Sequence, residues 1–139
     1  MAITTYTSPD VSSGVQPKGL RVGLVAVSAF WSTPAVSVTT GDVIQMVKVP
    51  QNAAVVGMLI STNANIGASV IVGDGVDTNR YHEGFNISAS ALCAGLNGIA
   101  YVPYVYSTDD TIDLTVSCSV TSSITSGQIN LTVIYSMDV

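Results

Sequence analysis

From Ile112 to Val120 every second residue is apolar: Ile112, Leu114, Val116, Cys118 and Val120 alternate with Asp113, Thr115, Ser117 and Ser119. A period of two marks a strand with one buried face, because successive strand side chains point to opposite sides of a sheet. The pattern therefore predicts that Asp113 faces solvent. The same rhythm returns in Gln128 to Tyr135, with Ile129, Leu131, Val133 and Tyr135 on one face, and in Val43 to Val49, which stops at Pro50. Leu20 to Ser28 alternates with extra apolar weight on its second face, and Ala53 to Ser61 is almost continuously apolar, as a strand buried on both faces would be. Shorter runs at Val36–Thr39, Ala68–Val72, Phe85–Ala89 and Ile99–Tyr106 complete the series, with residues 88 to 94 open to a helical turn instead. Pro103 marks the last of these as an edge strand or bulge. Thr40-Gly41-Asp42 and Gly73-Asp74-Gly75 supply turns between runs.

About eight short strands with turn signals between them, and no amphipathic helix, predict an all-β protein built as an antiparallel β-sandwich. A jelly-roll-like arrangement is preferred over an immunoglobulin-like one. No fixed-period repeat is present, which argues against propellers and β-helices. The chain has 139 residues, the length of one domain. Residues 1–19 read as an N-terminal arm, because Pro9-Asp10, Ser12-Ser13-Gly14 and Gln16-Pro17-Lys18-Gly19 interrupt them too often for a helix or long strand. Residues 20–139 read as a single β-sandwich domain.

Charge narrows the possible functions. Only 9% of residues are charged, and four Lys and Arg against nine Asp and Glu leave a net charge of −5. Four scattered cations cannot neutralise a run of phosphates, so nucleic acid is not an expected partner. The apolar share of 47% is too high for a disordered acidic tail. The longest apolar run, Val22 to Phe30, is far short of the ~20 residues of a membrane helix, so no membrane partner is expected. Met1 to Tyr6 has neither the cationic patch nor the apolar stretch of a signal peptide. The expectation is synthesis in a cytoplasm, with Cys93 and Cys118 reduced and packed as small apolar residues.

Catalytic chemistry finds little support. The single histidine, His82, has no Gly-x-Ser-x-Gly elbow to serve, and one histidine with two distant cysteines gives no zinc spacing. Gly73 to Asn79 gathers two carboxylates and an amide but lacks the alternating ligands and closing Glu of a calcium loop. Asp109, Asp110 and Asp113 read as a solvated turn and strand start rather than a glycosidase pair. The sequons at Asn86 and Asn130 are what a chain rich in Ser and Thr contains by chance. No catalytic residue, metal site or cofactor is expected, and the chain reads as non-enzymatic.

One stretch carries a resemblance. A strand ending in Val49-Pro50 is followed by the apolar strand around Ala54-Val55-Val56-Gly57-Met58-Leu59. Val70-Ile71-Val72 then runs into Gly73-Asp74, and Asp77-x-Asn79-Arg80-Tyr81 follows. Over roughly 40 residues this resembles small head proteins of tailed bacteriophages, the capsid decoration or cement proteins. The resemblance implies a jelly-roll-like domain that docks as a homo-oligomer, dimer or trimer, on the capsid exterior and clamps neighbouring major capsid protein subunits. It brings no catalytic residues, and the arm has no counterpart in it. The same residues make physical sense alone. Gly73 and Gly75 permit a tight turn, Arg80 can pair with Asp74 or Asp77, and Tyr81 can cover the loop.

The leading expectation is thus a virion structural protein. The alternatives are a secreted or surface β-sandwich, pilin-like or carbohydrate-binding, and a tail or baseplate component. Low charge, abundant Thr and Asn, and the aromatics Trp31 and Tyr104 fit the secreted class, although Trp31 is equally placed to cap a core. Candidate contacts with capsid or sibling subunits are Tyr6, Val11 and Val15 of the arm, with Phe30 and Trp31 of the first long loop.

Overall fold

A computed structural model describes residues 3–13, 23–32, 38–62, 69–86, 93–95, 103–118 and 127–137. Among them are nine strands and one helical turn: β1 (Thr5–Thr7), α1 (Pro9–Ser12), β2 (Gly23–Ser32), β3 (Val43–Val49), β4 (Ala53–Thr62), β5 (Ser69–Gly73), β6 (His82–Asn86), β7 (Cys93–Gly95), β8 (Asp110–Cys118) and β9 (Gln128–Met137). They form two sheets. Sheet A has the order β1-β3-β8-β5-β6 and sheet B the order β2-β9-β4-β7. The all-β sandwich expected from the alternation is what the chain builds.

The pairing is nested. Within β2 to β9 the first strand pairs with the last, the second with the next to last, and so inward: β2 with β9, β3 with β8, β4 with β7 and β5 with β6, all antiparallel. Between the sheets lies a core of Ile44, Met46, Val47, Val49, Val55, Ile60, Ile112, Leu114, Leu131 and Val133, all essentially inaccessible to water. The long β9 alternates strictly, sending Ile129, Leu131, Val133 and Tyr135 inward.

Two bulges alter the simple alternation. In β3 the register against β8 shifts between Gln45 and Val47. A bulge changes which face the following residues occupy. Val43 and Gln45 therefore lie outward, Ile44 and Met46 inward, and Val47 and Val49 inward as well. In β4 a shift between Val55 and Gly57 does the same, burying Val55, Met58 and Ile60.

Several boundaries differ from the sequence pattern. Val38 and Thr39 are not in a strand, and residues 36–37 lie outside the described set. Of Ile99–Tyr106, residues 99–102 lie outside it too, and Val105 forms only an isolated bridge with Ala54. Residues 93–95 pair with β4 as a short strand rather than closing a helical turn.

Residues 3–13 lie along the margin of sheet A. β1 pairs in parallel with β3, Ser8 donates its hydroxyl to the Met46 carbonyl, and α1 follows with Ser8 capping Val11 N–H. Asp42 secures the start of this segment: its two oxygens accept from the backbone of Thr4 and Thr39, each at 2.9 Å. Asp42 is buried, and these charge-assisted bonds stabilise its carboxylate there.

Candidate functional site

The loop from Gly73 to Tyr81 is held by one buried carboxylate. Asp74 Oδ1 accepts from the backbone N–H of Val76 at 3.0 Å and of Asp77 at 2.8 Å. Its Oδ2 accepts from Arg80 Nε at 2.6 Å and from the Tyr106 hydroxyl at 3.0 Å. All four contacts come from donors, so Asp74 is a structural anion. Burial pushes its pKa up, but Arg80, the two N–H groups and Tyr106 more than offset this and hold it below the usual carboxylate value.

Tyr106 spends its only proton on Asp74, so at 2.7 Å it accepts from the Tyr81 hydroxyl. Burial pushes Tyr81 up to about 12 and moves Tyr106 upward as well, keeping both phenols neutral. Arg80 also lies 3.7 Å over the ring of Tyr104, which meets Tyr106 edge-on. Asp77 is a weaker partner, 3.9 Å from the guanidinium. Tyr104 and Tyr106 are far from the loop in sequence, and no local pattern points to them.

Gly73 is required by close approach. A Cβ there would meet the Asp77 carbonyl oxygen at 2.1 Å and Thr78 at 2.3 Å. Gly75 has no such neighbour, its nearest being Asp110 Oδ1 at 4.0 Å, so the turn depends on one glycine rather than two. Beyond the loop a depression of about 490 Å³ is lined by Asp77, Asn79, Arg80, Tyr81, His82, Glu83 and Gly84. There His82 Nδ1 accepts from Gly84 N–H.

Asp113 corrects a sequence expectation. It lies on the outer face of sheet A, opposite Gln45 on one side and Gly73 on the other, yet only 6% of it is exposed. The Asp77–Thr78 backbone that crosses Gly73 roofs this side of the sheet. Burial pushes Asp113 up to about 6, and its Oδ1 has no hydrogen-bond partner. Two residues on, Thr115 Oγ1 is also buried and unpartnered. Asp109 and Asp110 instead accept from backbone N–H groups of Gln51 and Thr111. Among the described residues no three potential metal ligands gather, and no helix is long and apolar enough to cross a membrane.

The candidate contact residues are dispersed by role. Tyr6 and Trp31 meet edge-on at 5.7 Å, and Trp31 is only 5% exposed, so its ring belongs to the core margin. Phe30, the neighbour that points the other way along β2, is 45% exposed. Val11 is half-buried on α1. Val15 lies outside the described residues, as do the side chains of Cys93 and Cys118.

Phe30 belongs to a surface that the sequence patterns did not single out. The outward positions of β2, β9 and β4 form cross-strand rows: Leu24, Ser136 and Ala54; Ala26, Ile134 and Gly57; Ser28, Thr132 and Leu59; Phe30, Asn130 and Ser61. None is charged. Among the described side chains, the carboxylates and cations lie instead on sheet A and its loops.

No protein-family model and no curated protein sequence matches the chain. Solved structures do match. A chain in the capsid of Ralstonia phage GP4 superposes with a TM-score of 0.80 at 13% identity, covering 98% of this chain and 99% of that one. A chain of the cyanophage Pam1 capsid asymmetric unit gives 0.71 at 14% identity, covering 91% and 96%. A chain of the acidic stable capsid of Helicobacter pylori bacteriophage KHP30 gives 0.51 at 15% identity, covering 83% and 94%. At these identities the likeness is one of fold.

Proposed function

We propose that this chain is a non-enzymatic structural protein of a phage virion, bound to the exterior of the capsid, where it stabilises contacts between major capsid protein subunits. The observation that carries the reading is the end-to-end likeness to a chain of a phage capsid structure, over 98% of one chain and 99% of the other. The nested strand pairing, read as a jelly roll, supports it. So does the use of the buried ionisable groups Asp42 and Asp74 to fix loops.

The mechanism is mechanical. A homo-oligomer, dimer or trimer, that spans a boundary between capsid subunits binds the intact lattice better than separated subunits. Binding that favours one state stabilises it by mass action. Residues 3–13, along the margin of sheet A, are the surface offered for docking on the shell.

The test is to strip the protein from particles and add it back. Particles carrying it should disrupt at a higher temperature than bare ones, and a low-resolution image should place it on the outer shell. Equal disruption temperatures, or density confined to the tail, overturn the reading.

A further inference from the structure

We infer that the outer face of sheet B is where two copies of this chain meet. The proposal deepens the reading above by naming the surface through which the oligomer forms. It is tested on the free protein, so its failure leaves capsid binding standing.

The first argument is charge. The chain carries a net charge of −5, and most faces would set carboxylates of one copy against those of another. Among the described side chains the carboxylates belong to sheet A and its loops, whereas the outward residues of β2, β9 and β4 include no ionisable group. Like charges placed opposite one another across an interface repel and suppress association. This face avoids that cost when it meets itself.

The second argument is hydrogen-bond chemistry. A carboxylate only accepts, so an acidic surface cannot satisfy its own copy. Hydroxyls and amides both donate and accept. The polar positions of this face are Ser28, Thr132, Asn130, Ser61 and Ser136, all of that self-complementary kind. Ser28 and Thr132 already bond to each other at 2.8 Å with either oxygen able to donate, so their protons can be redirected. Apolar positions are interspersed with them: Leu24 is 72% exposed, Phe30 45% and Leu59 44%.

Size sets the kind of contact. Three ten-residue strands make a patch of about 33 Å by 14 Å, on the order of 500 Å² per copy. The total, about 1,000 Å², is at the low end of specific interfaces. The contact should therefore be reversible and concentration-dependent in the free protein.

Sedimentation of the full chain from micromolar to submillimolar concentration should show a mass that rises with concentration. Leu59→Asp should weaken association about tenfold or more, and Phe30→Asp should do the same from a different strand. Val76→Asp, on the sheet A loop, should leave it unchanged. Mixing Leu59→Asp with Leu59→Lys should restore association that neither shows alone. Thermal melting identifies any variant that fails to fold, and the other strand's variant then decides. A wild-type chain that stays monomeric throughout, or aspartate variants that both fold and associate like wild type, overturns the inference.

Discussion

The two sheets of this sandwich share a core and differ in how their outer faces are finished. Sheet A carries a loop folded down on Gly73, a four-donor shell around Asp74, and a second carboxylate, Asp113, beside that loop. Sheet B is closed outside by hydroxyls, amides and aliphatic groups with no charge among them. The difference teaches where a chain with so few charges places them. Buried charges need several specific partners to be tolerated, so they are concentrated where a loop can supply N–H donors. The opposite face needs no local partners and remains available to another surface.

The comparison can be broken first at Arg80. Arg80→Met removes the cation from the buried Asp74 carboxylate and should destabilise the fold by about 3–5 kcal/mol, measured by urea unfolding at neutral pH. A loss below 1 kcal/mol would mean that the two backbone N–H groups and Tyr106 suffice. Gly73→Ala comes next. Its Cβ would collide with the Asp77–Thr78 backbone, and the loop must shift, at a cost of about 2–3 kcal/mol. Gly75→Ala in the same loop should change stability by less than about 0.5 kcal/mol. Equal effects at the two glycines would refute the close-approach argument.

Asp113 gives a prediction with a sign. Its folded pKa, about 6, lies above the ordinary 3.8. Its contribution to stability is fully present below pH 3.8 and is lost as pH rises through 6. Stability should therefore increase on acidification from pH 7 toward 5. Asp74 works in the opposite direction, with a pKa held below the ordinary value. Its contribution is present above 3.8 and is lost as pH falls through the lowered folded pKa, so acidification eventually destabilises. Asp113→Asn should flatten the pH 5 to 7 window and raise neutral-pH stability by about 2 kcal/mol. A melting temperature that keeps the same pH slope in the variant would rule Asp113 out as its source. The smallest effect belongs to sheet B. Leu24→Ser should alter monomer stability by no more than about 0.5 kcal/mol, because Leu24 is already mostly in water.

Much of the fold was legible in particular stretches of sequence. The strict alternation of Gln128–Tyr135 reappears in β9, and the bounds of Ala53–Ser61 and Val43–Val49 match their strands almost residue for residue. The expectation that Ala53–Ser61 is buried on both faces fails, because Val56 and Leu59 lie exposed on the outer side of sheet B. The proximity of Arg80 to Asp74 was legible too, because six residues of loop can hardly hold them apart. Tyr104 and Tyr106 were not, since they reach that pair only because Tyr106 pairs its backbone with Ala53 and Asn52. The alternation of Ile112–Val120 correctly put Asp113 on the outer face but wrongly exposed it.

What the sequence determined by itself is a set of β-strands, the inward faces of β8 and β9 and a charge-paired turn, because the period of side chains along an extended chain is a local property. The tertiary structure alone decided which strands lie together. Pairing β2 and β4 on either side of β9 brings residues far apart in sequence into one neutral face. The Asp77–Thr78 backbone lies over Gly73, the cross-strand neighbour of Asp113, and that outward aspartate is buried. Alternation specifies up or down for each side chain, and burial depends on what the rest of the chain places above it.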